Sequence, residues 1–218
     1  MSIDIKSDAI FFMFFGEPLD TIKESNLDNL ARVCAQKAYR DVCRTIEYKG
    51  LCKEGRNGFR ETVVDEIVNA VVSLYSNAKS FEDWHTVLCE NIIQKAIEGD
   101  EKFSFHWGQA QKWVNMTLKY LRLMGVRFDS IEAEMHIPID SYIIEAAAES
   151  SDDDLVEGIA VKGLGIKLDW DKTWSRCDDK GKYSTFQGAV REKTDNKQLE
   201  WEEKAWMAMA IRHAAEGR

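Results

Sequence analysis

The sequence predicts an all-α protein. Three observations carry that expectation. Apolar residues recur at helical spacing along most of the 218 residues, segments open on capping residues, and only two prolines, Pro18 and Pro138, interrupt the chain. The periodicity implies about eight helices, in one globular helical unit over 1–218 with possible subdomains 1–100 and 101–218.

Taken in order, AIFFMFFG is the most apolar run. It is far shorter than the roughly 20 residues of a membrane span. Asp4 and Asp8 flank it and no small-residue cleavage site follows, so it reads as a buried strand or first helix, with a short strand possible near residues 9–15. SNLDNLARVCAQKAYRDVCRTI is a helix with Ser25 or Asn26 as N-cap, followed by a turn at YKGLCKEGRNG. FRETVVDEIVNAVVSLYS and SFEDWHTVLCENIIQKAIEG are the next two helices. Ser80 and Asp83 approximate a capping box for the second of them, and Gly99 and Asp100 close it. Residues 107–124 and 140–149 are helical. SSDDDLVEG is a linker or a helix start whose acids suit an N-terminal dipole. KGLGIKLDWDKTWSRCDDKGKY reads as loop, and 183–193 and 198–215 as helices.

Five cysteines, an odd number without a CxxC pair, argue for reduced thiols and a cytoplasmic protein. No close Cys or His pairs offer a metal site, and neither metal nor cofactor is expected. The net charge of −9 excludes a uniformly basic nucleic-acid binder. Charge is nevertheless segregated: residues 128–160 hold 10 acids and no base, whereas 101–127 carry Lys102, Lys112, Lys119, Arg122 and Arg127 against Glu101 alone. An acidic protein of this kind can still present a basic face.

Two places carry candidate chemistry. In GQAQKWVNMTLKYL, Lys112 is expected in the first turn of a helix, and on a helical wheel Lys112, Asn115, Lys119 and Arg122 share the side opposite Trp113, Val114, Leu118 and Leu121. That side is either a solvated polar face or a setting in which an amine is activated by neighbouring cations and partial burial. In EMHIPIDSYII, Pro138 makes the preceding residue extended, so Asp140 falls where a helix N-cap belongs. It either caps alone or acts as a carboxylate among Ile137, Ile139, Ile143 and Ile144, with His136 near enough in sequence to tune it.

AQKWVNMTLKYL followed by HIPIDSYI resembles the helix-hairpin-helix DNA glycosylase superfamily, most of all its archaeal 8-oxoguanine glycosylase branch. The resemblance covers about 40 residues. It implies that Lys112 forms a Schiff base with the sugar of a modified nucleotide, that Asp140 stabilises the positive charge developing there, and that the partner is DNA, bound by a monomer. Lys119 is the alternative nucleophile. The family's glycine hairpin of the type LPGVG is replaced before Lys112 by FSFHWGQA; the one similar stretch, KGLGIK, follows Asp140.

Under that reading Trp107 and Trp174 are candidates for stacking on a flipped base. Gln111, His136 and Arg176 are further candidate substrate contacts, and WDKTWSRCDDKGKYSTFQGAVR suits either a surface groove with Arg176, Gln187 and Arg191 reaching inward or an ordinary connector. Gly163 and Gly165 could offer backbone amides to a phosphate, with Lys162 and Lys167 beside them. The C-terminal helix, with Trp201 and Trp206, is expected to dock on the core rather than on a membrane. Two rival functions fit the same residues. One is an acidic helical partner-binding protein, an inhibitor or DNA mimic, working through its acidic blocks. The other is a Schiff-base enzyme acting on a small carbonyl compound.

Overall fold

The structure is a computed structural model, and it describes residues 12–16, 26–76, 80–99, 103–128, 130–151, 154–156, 158–167 and 173–217. The described residues are mainly helical, with one two-stranded sheet. They divide into two units: Met1–Phe105 with Trp113–Phe128, and His106–Lys112 with Asp129–Arg218.

In the first unit, α1 (Leu27–Val42) starts at Asn26, whose side chain accepts from the Asn29 amide at 3.0 Å. Its apolar stripe is made of small residues, Ala31, Cys34, Ala35 and Ala38, all fully buried, so neighbouring backbone can approach closely. α2 (Lys53–Ser76) begins six residues earlier than the apolar periodicity suggests. Gly55 and Gly58, read from sequence as turn residues, lie in its first turns. A helical glycine costs about 1 kcal/mol each, offset here because Phe59, Val63, Val64 and Ile67 bury one face. The Cys52 thiol also accepts from the Gly55 amide at 3.4 Å, as a cap would. α3 (Phe81–Gly99) opens on Ser80, whose hydroxyl accepts from Asp83 N–H at 3.4 Å. α4 (Trp107–Leu123) contributes its residues from Trp113 onward to this unit. The Trp113 indole donates to Ala35 O at 2.9 Å, anchoring its ring to α1. Residues 12–15, expected as a strand or first helix, are helical, and Phe15 packs edge-on against Tyr120 with ring centroids 5.8 Å apart. Residues 9–11 of that run lie outside the described residues.

Burial of Cys34 pushes its thiol up to about 12, because desolvation disfavours the thiolate. At pH 8 Cys34 is therefore a thiol while folded. Titration with a thiol reagent should modify exposed Cys52 first, and reach Cys34 and Cys89, both fully buried, only after denaturation. Native-state modification of Cys34 as fast as Cys52 would refute this.

The second unit holds the first six residues of α4, then α5 (Ser141–Ala148), β1 (Asp154–Val156), β2 (Ile159–Lys162), α6 (Lys180–Lys193) and α7 (Gln198–Ala215). SSDDDLVEG, expected as linker or helix start, instead supplies β1, antiparallel to β2 with Val156 opposite Ile159. Gly158 takes the turn at φ 85°, a conformation open to glycine. α6 begins three residues before its predicted start because Asp179 caps it, accepting from Lys182 N–H at 2.9 Å. Asp195 and Asn196, at φ 51° and 62°, make the left-handed reversal into α7, where Asp and Asn are the tolerated non-glycine residues. Trp201 is buried and donates its indole N–H to Lys162 O at 3.0 Å, so α7 docks on the hairpin.

The glycines of KGLGIK have a structural task. Gly165 N–H donates to Glu149 O and Ile166 N–H to Ala147 O, each at 2.8 Å. They satisfy carbonyls that the end of α5 leaves open. A Cβ at Gly163 would lie 2.3 Å from Glu149 O. The Gly165 amide, suggested by sequence as a phosphate donor, is thus already engaged by α5.

Candidate active site

All the contacts of the site described below lie within the second unit. Residues 135–139 lead from the turn at 131–134 into α5 without forming helix or strand, and Pro138 holds Ile137 extended. Such a segment exposes backbone groups that need partners, and three glutamine side chains supply them. Gln198 Nε2 donates to Ala133 O and Met135 O, both at 3.0 Å. Gln187 accepts from Ile137 N–H at 3.0 Å and donates to Ile137 O at 2.8 Å. Gln111 accepts from Ile139 N–H at 3.3 Å and donates to Ile139 O at 3.1 Å. Each amide of Gln111 and Gln187 behaves as one peptide unit of an absent neighbouring strand. Met135, Ile137 and Ile139 are alternate residues, and all are buried. The backbone leading to Asp140 is therefore fixed, and Gln111, next to Lys112 in sequence, fixes its last step.

Asp140 caps α5 with Oδ1, accepting from Ile143 N–H at 3.1 Å. Its other oxygen, Oδ2, pairs with Lys112 Nζ in a short ion pair. The two side chains are only 7% and 11% exposed. Capping and pairing are thus simultaneous, one on each oxygen. Neither reading of the lysine helix as drawn from the wheel describes Lys112. It is not on a solvated face, since Lys112 and Asn115 are both buried. It also sits in the second turn of α4, past the first turn to which a helix dipole's influence is confined. The nearby carboxylate, not a neighbouring cation, is its electrostatic partner.

Two tryptophans touch this pair. The Lys112 ammonium lies 5.3 Å from the centroid of the half-buried Trp174 ring, within cation–π range. Trp206 donates its indole N–H to Asp140 Oδ2 at 3.3 Å and is 41% exposed. Tyr142 packs against Trp206 with ring centroids 5.8 Å apart. Trp206 was missing from the residues picked out in the sequence as site residues. Its one signal is position on the amphipathic C-terminal helix, and 66 residues separate it from Asp140.

Trp174 is held by close backbone approach. Gly108 N–H donates to Cys177 O at 2.9 Å, and a Cβ at Gly108 would lie 1.7 Å from Trp174 O. Only glycine lets the Trp174–Arg176 turn rest on the start of α4. Asp178 secures the same place. Its Oδ1 accepts from Trp107 N–H at 3.0 Å, and its Oδ2 lies 2.9 Å from His106 Nδ1.

Compared with known proteins, this chain finds no match: no family model, no curated protein and no solved structure matches it. The site has to be read from its own residues.

Of the residues expected at the site, Lys112, Asp140 and Trp174 are brought together. Gln111 is fully buried and uses its amide on Ile139 and on Gly108 O, so its work is structural. Trp107 is 2% exposed and meets Tyr183 edge-on, with the Lys180 ammonium 5.0 Å from its ring. That leaves it no open face for a base. His136 is buried, with Nδ1 3.0 Å from the Tyr183 hydroxyl. Arg176 is exposed at the end of the Trp174 turn. Gln187 and Arg191, expected to reach into a surface groove, instead hold the extended segment. Gln187 is 2% exposed and bonds Ile137, while Arg191 donates to Glu134 O at 3.0 Å. Lys119 belongs to the first unit and is half-buried.

Proposed function

We propose that this protein is a DNA base-excision glycosylase that breaks the N-glycosidic bond of a modified base through a Schiff base on Lys112. The observation that carries the reading is a shielded lysine paired with a carboxylate, between two aromatic rings that remain partly open. The resemblance of QKWVNM and HIPIDSYI to the helix-hairpin-helix glycosylases supports the same assignment.

Attack needs the lone pair of the Lys112 amine. Asp140 Oδ2 is the acceptor in contact with it. On this reading Lys112 passes one proton to Asp140, and the free amine attacks the anomeric carbon. The glycosidic C–N bond breaks with its electron pair leaving on the base, which takes the proton from Asp140. The regenerated carboxylate stabilises the oxocarbenium-like charge while that bond breaks. A proton then moves from the bound nitrogen to the ring oxygen, the ring opens, and a protonated imine remains for water to hydrolyse. Ile143 N–H and Trp206 N–H hold the carboxylate in place throughout, and Trp174 is the available surface for the extruded base. Extrusion itself costs a few kcal/mol, so unpaired or damaged bases are preferred.

The test is borohydride trapping and base release on oligonucleotides carrying an abasic site, 8-oxoguanine, uracil or other modified bases. A trapped adduct with the abasic strand is expected from the wild type. Asp140→Asn should lower base release by 10²-fold or more, the scale of removing one electrostatic stabiliser. Trp206→Phe, which keeps the ring and deletes the donor, should lower it several-fold. No adduct and no base release from folded protein would overturn the proposal and favour a partner-binding role.

A further inference from the structure

The chain is acidic as a whole, yet residues 26–60 hold eight Lys and Arg against four Asp and Glu. That is an excess of four positive charges in a protein of net charge −9. All eight belong to the first unit, with Lys37 largely covered in its pair with Asp41. Lys53, Arg56 and Arg60 lie at i, i+3 and i+7 of α2 and so share one helical face. Arg40 lies in the last turn of α1, and Arg44 in the short 3₁₀ turn Cys43–Thr45 that follows it. Arg40, Arg44, Lys49, Lys53 and Arg56 are exposed.

Two tyrosines join the groups. The Tyr39 and Tyr48 hydroxyls are 2.7 Å apart. The Arg60 guanidinium lies 5.8 Å from the Tyr39 ring and that of Arg56 5.3 Å from the Tyr48 ring. Both rings are half-buried, and Tyr48 stacks on Phe103 with centroids 5.5 Å apart. Carboxylates are present but placed locally: Glu47 pairs with Lys49, Glu61 with Arg60, Asp41 with Lys37 and Asp65 with Arg32, while Glu54 is exposed. Even with them counted, the patch keeps a positive surplus.

We infer that this arginine–tyrosine patch is a binding surface for the phosphates of a nucleic-acid strand. Exposed cations spread over two helices and the turn between them suit a chain of regularly spaced phosphates, while Tyr39 and Tyr48, each covered by an aromatic ring and a guanidinium, hold the arginines in place. The choice of occupant rests on the glycosylase reading; the charge geometry does not.

The test is binding of a labelled oligonucleotide, single-stranded and as a duplex, followed by anisotropy across a salt series. The triple variant Arg40→Gln, Arg44→Gln, Lys53→Gln is compared with a charge-matched triple at exposed second-unit lysines, Lys193→Gln, Lys197→Gln, Lys204→Gln. Loss of roughly 10-fold or more in affinity, with the slope of log affinity against log salt reduced by about 2–3, is expected for the first triple only. Equal loss in both triples, wild-type affinity in the first, or displacement by polyglutamate as effective as by DNA would overturn the inference. If trapping fails while the first triple still loses affinity, the chemistry falls and the surface stands. If trapping succeeds and that triple binds normally, only the surface falls.

Discussion

Lys112→Gln is expected to abolish borohydride-trapped adduct on an abasic oligonucleotide while the protein stays folded. Glutamine keeps a donor toward Asp140 and removes the amine, the one group that can form an imine. Alanine would be a poorer probe. Both substitutions leave a buried carboxylate without its cation, a loss of about 3–5 kcal/mol for a broken buried pair, but alanine also removes the donor to Asp140 Oδ2, so its inactivity could more readily follow from unfolding. Lys119→Ala, made in parallel, should keep the adduct. Thermal denaturation of each variant separates stability from chemistry. An adduct that survives Lys112→Gln and disappears with Lys119→Ala would transfer the assignment to Lys119 and take the role of Asp140 with it.

Gly108→Ala should be the most damaging substitution of a single hydrogen by a methyl in the second unit. The added carbon would fall 1.7 Å from Trp174 O and 2.8 Å from Trp174 C. Both are backbone atoms, so no side-chain rotation relieves the clash. Either the turn carrying Trp174 moves off α4, or Gly108 loses its bond to Cys177 O. Overpacking of this severity costs about 3 kcal/mol or more, which corresponds to a fall of roughly 6–12 °C in Tm for a chain of this size. Trapping should fall further than the lost stability explains, because the Trp174 ring leaves its place beside Lys112. Gly188→Ala in α6 is the control. No atom lies within 4 Å of its added carbon, so it should gain about 0.5–1 kcal/mol from helix propensity. Equal Tm values for wild type and Gly108→Ala would show that the contact does not constrain the protein.

Much of the helical content was readable because its signals are local. Asn26, Ser80 and Asp140 each mark a helix start through a bond to an amide three residues on, and periodic burial needs only the residues of one helix. Reading failed where a local preference met a stronger distant one. Glycines at 55 and 58 suggest a turn, but burial of the α2 stripe outweighs them. The acids of SSDDDLVEG suggest a helix start or a linker, yet DLV gains a partner strand in IAVK.

By itself, the sequence determined that the protein is helical, that Asp140 opens a helix behind an extended segment, and that Lys112 lies on the helix before it. The tertiary structure decided what those two residues are to each other. Their pairing spans 28 residues, the bond from Trp206 spans 66, and Trp174 reaches the lysine only because Gly108 lacks a side chain. The glutamines that replace a missing strand come from three different helices. Caps and periodicity are set by steric and hydrogen-bonding preferences within one turn of chain. Partners this distant are chosen only when packing excludes water and leaves each buried polar group a single place to find its bond.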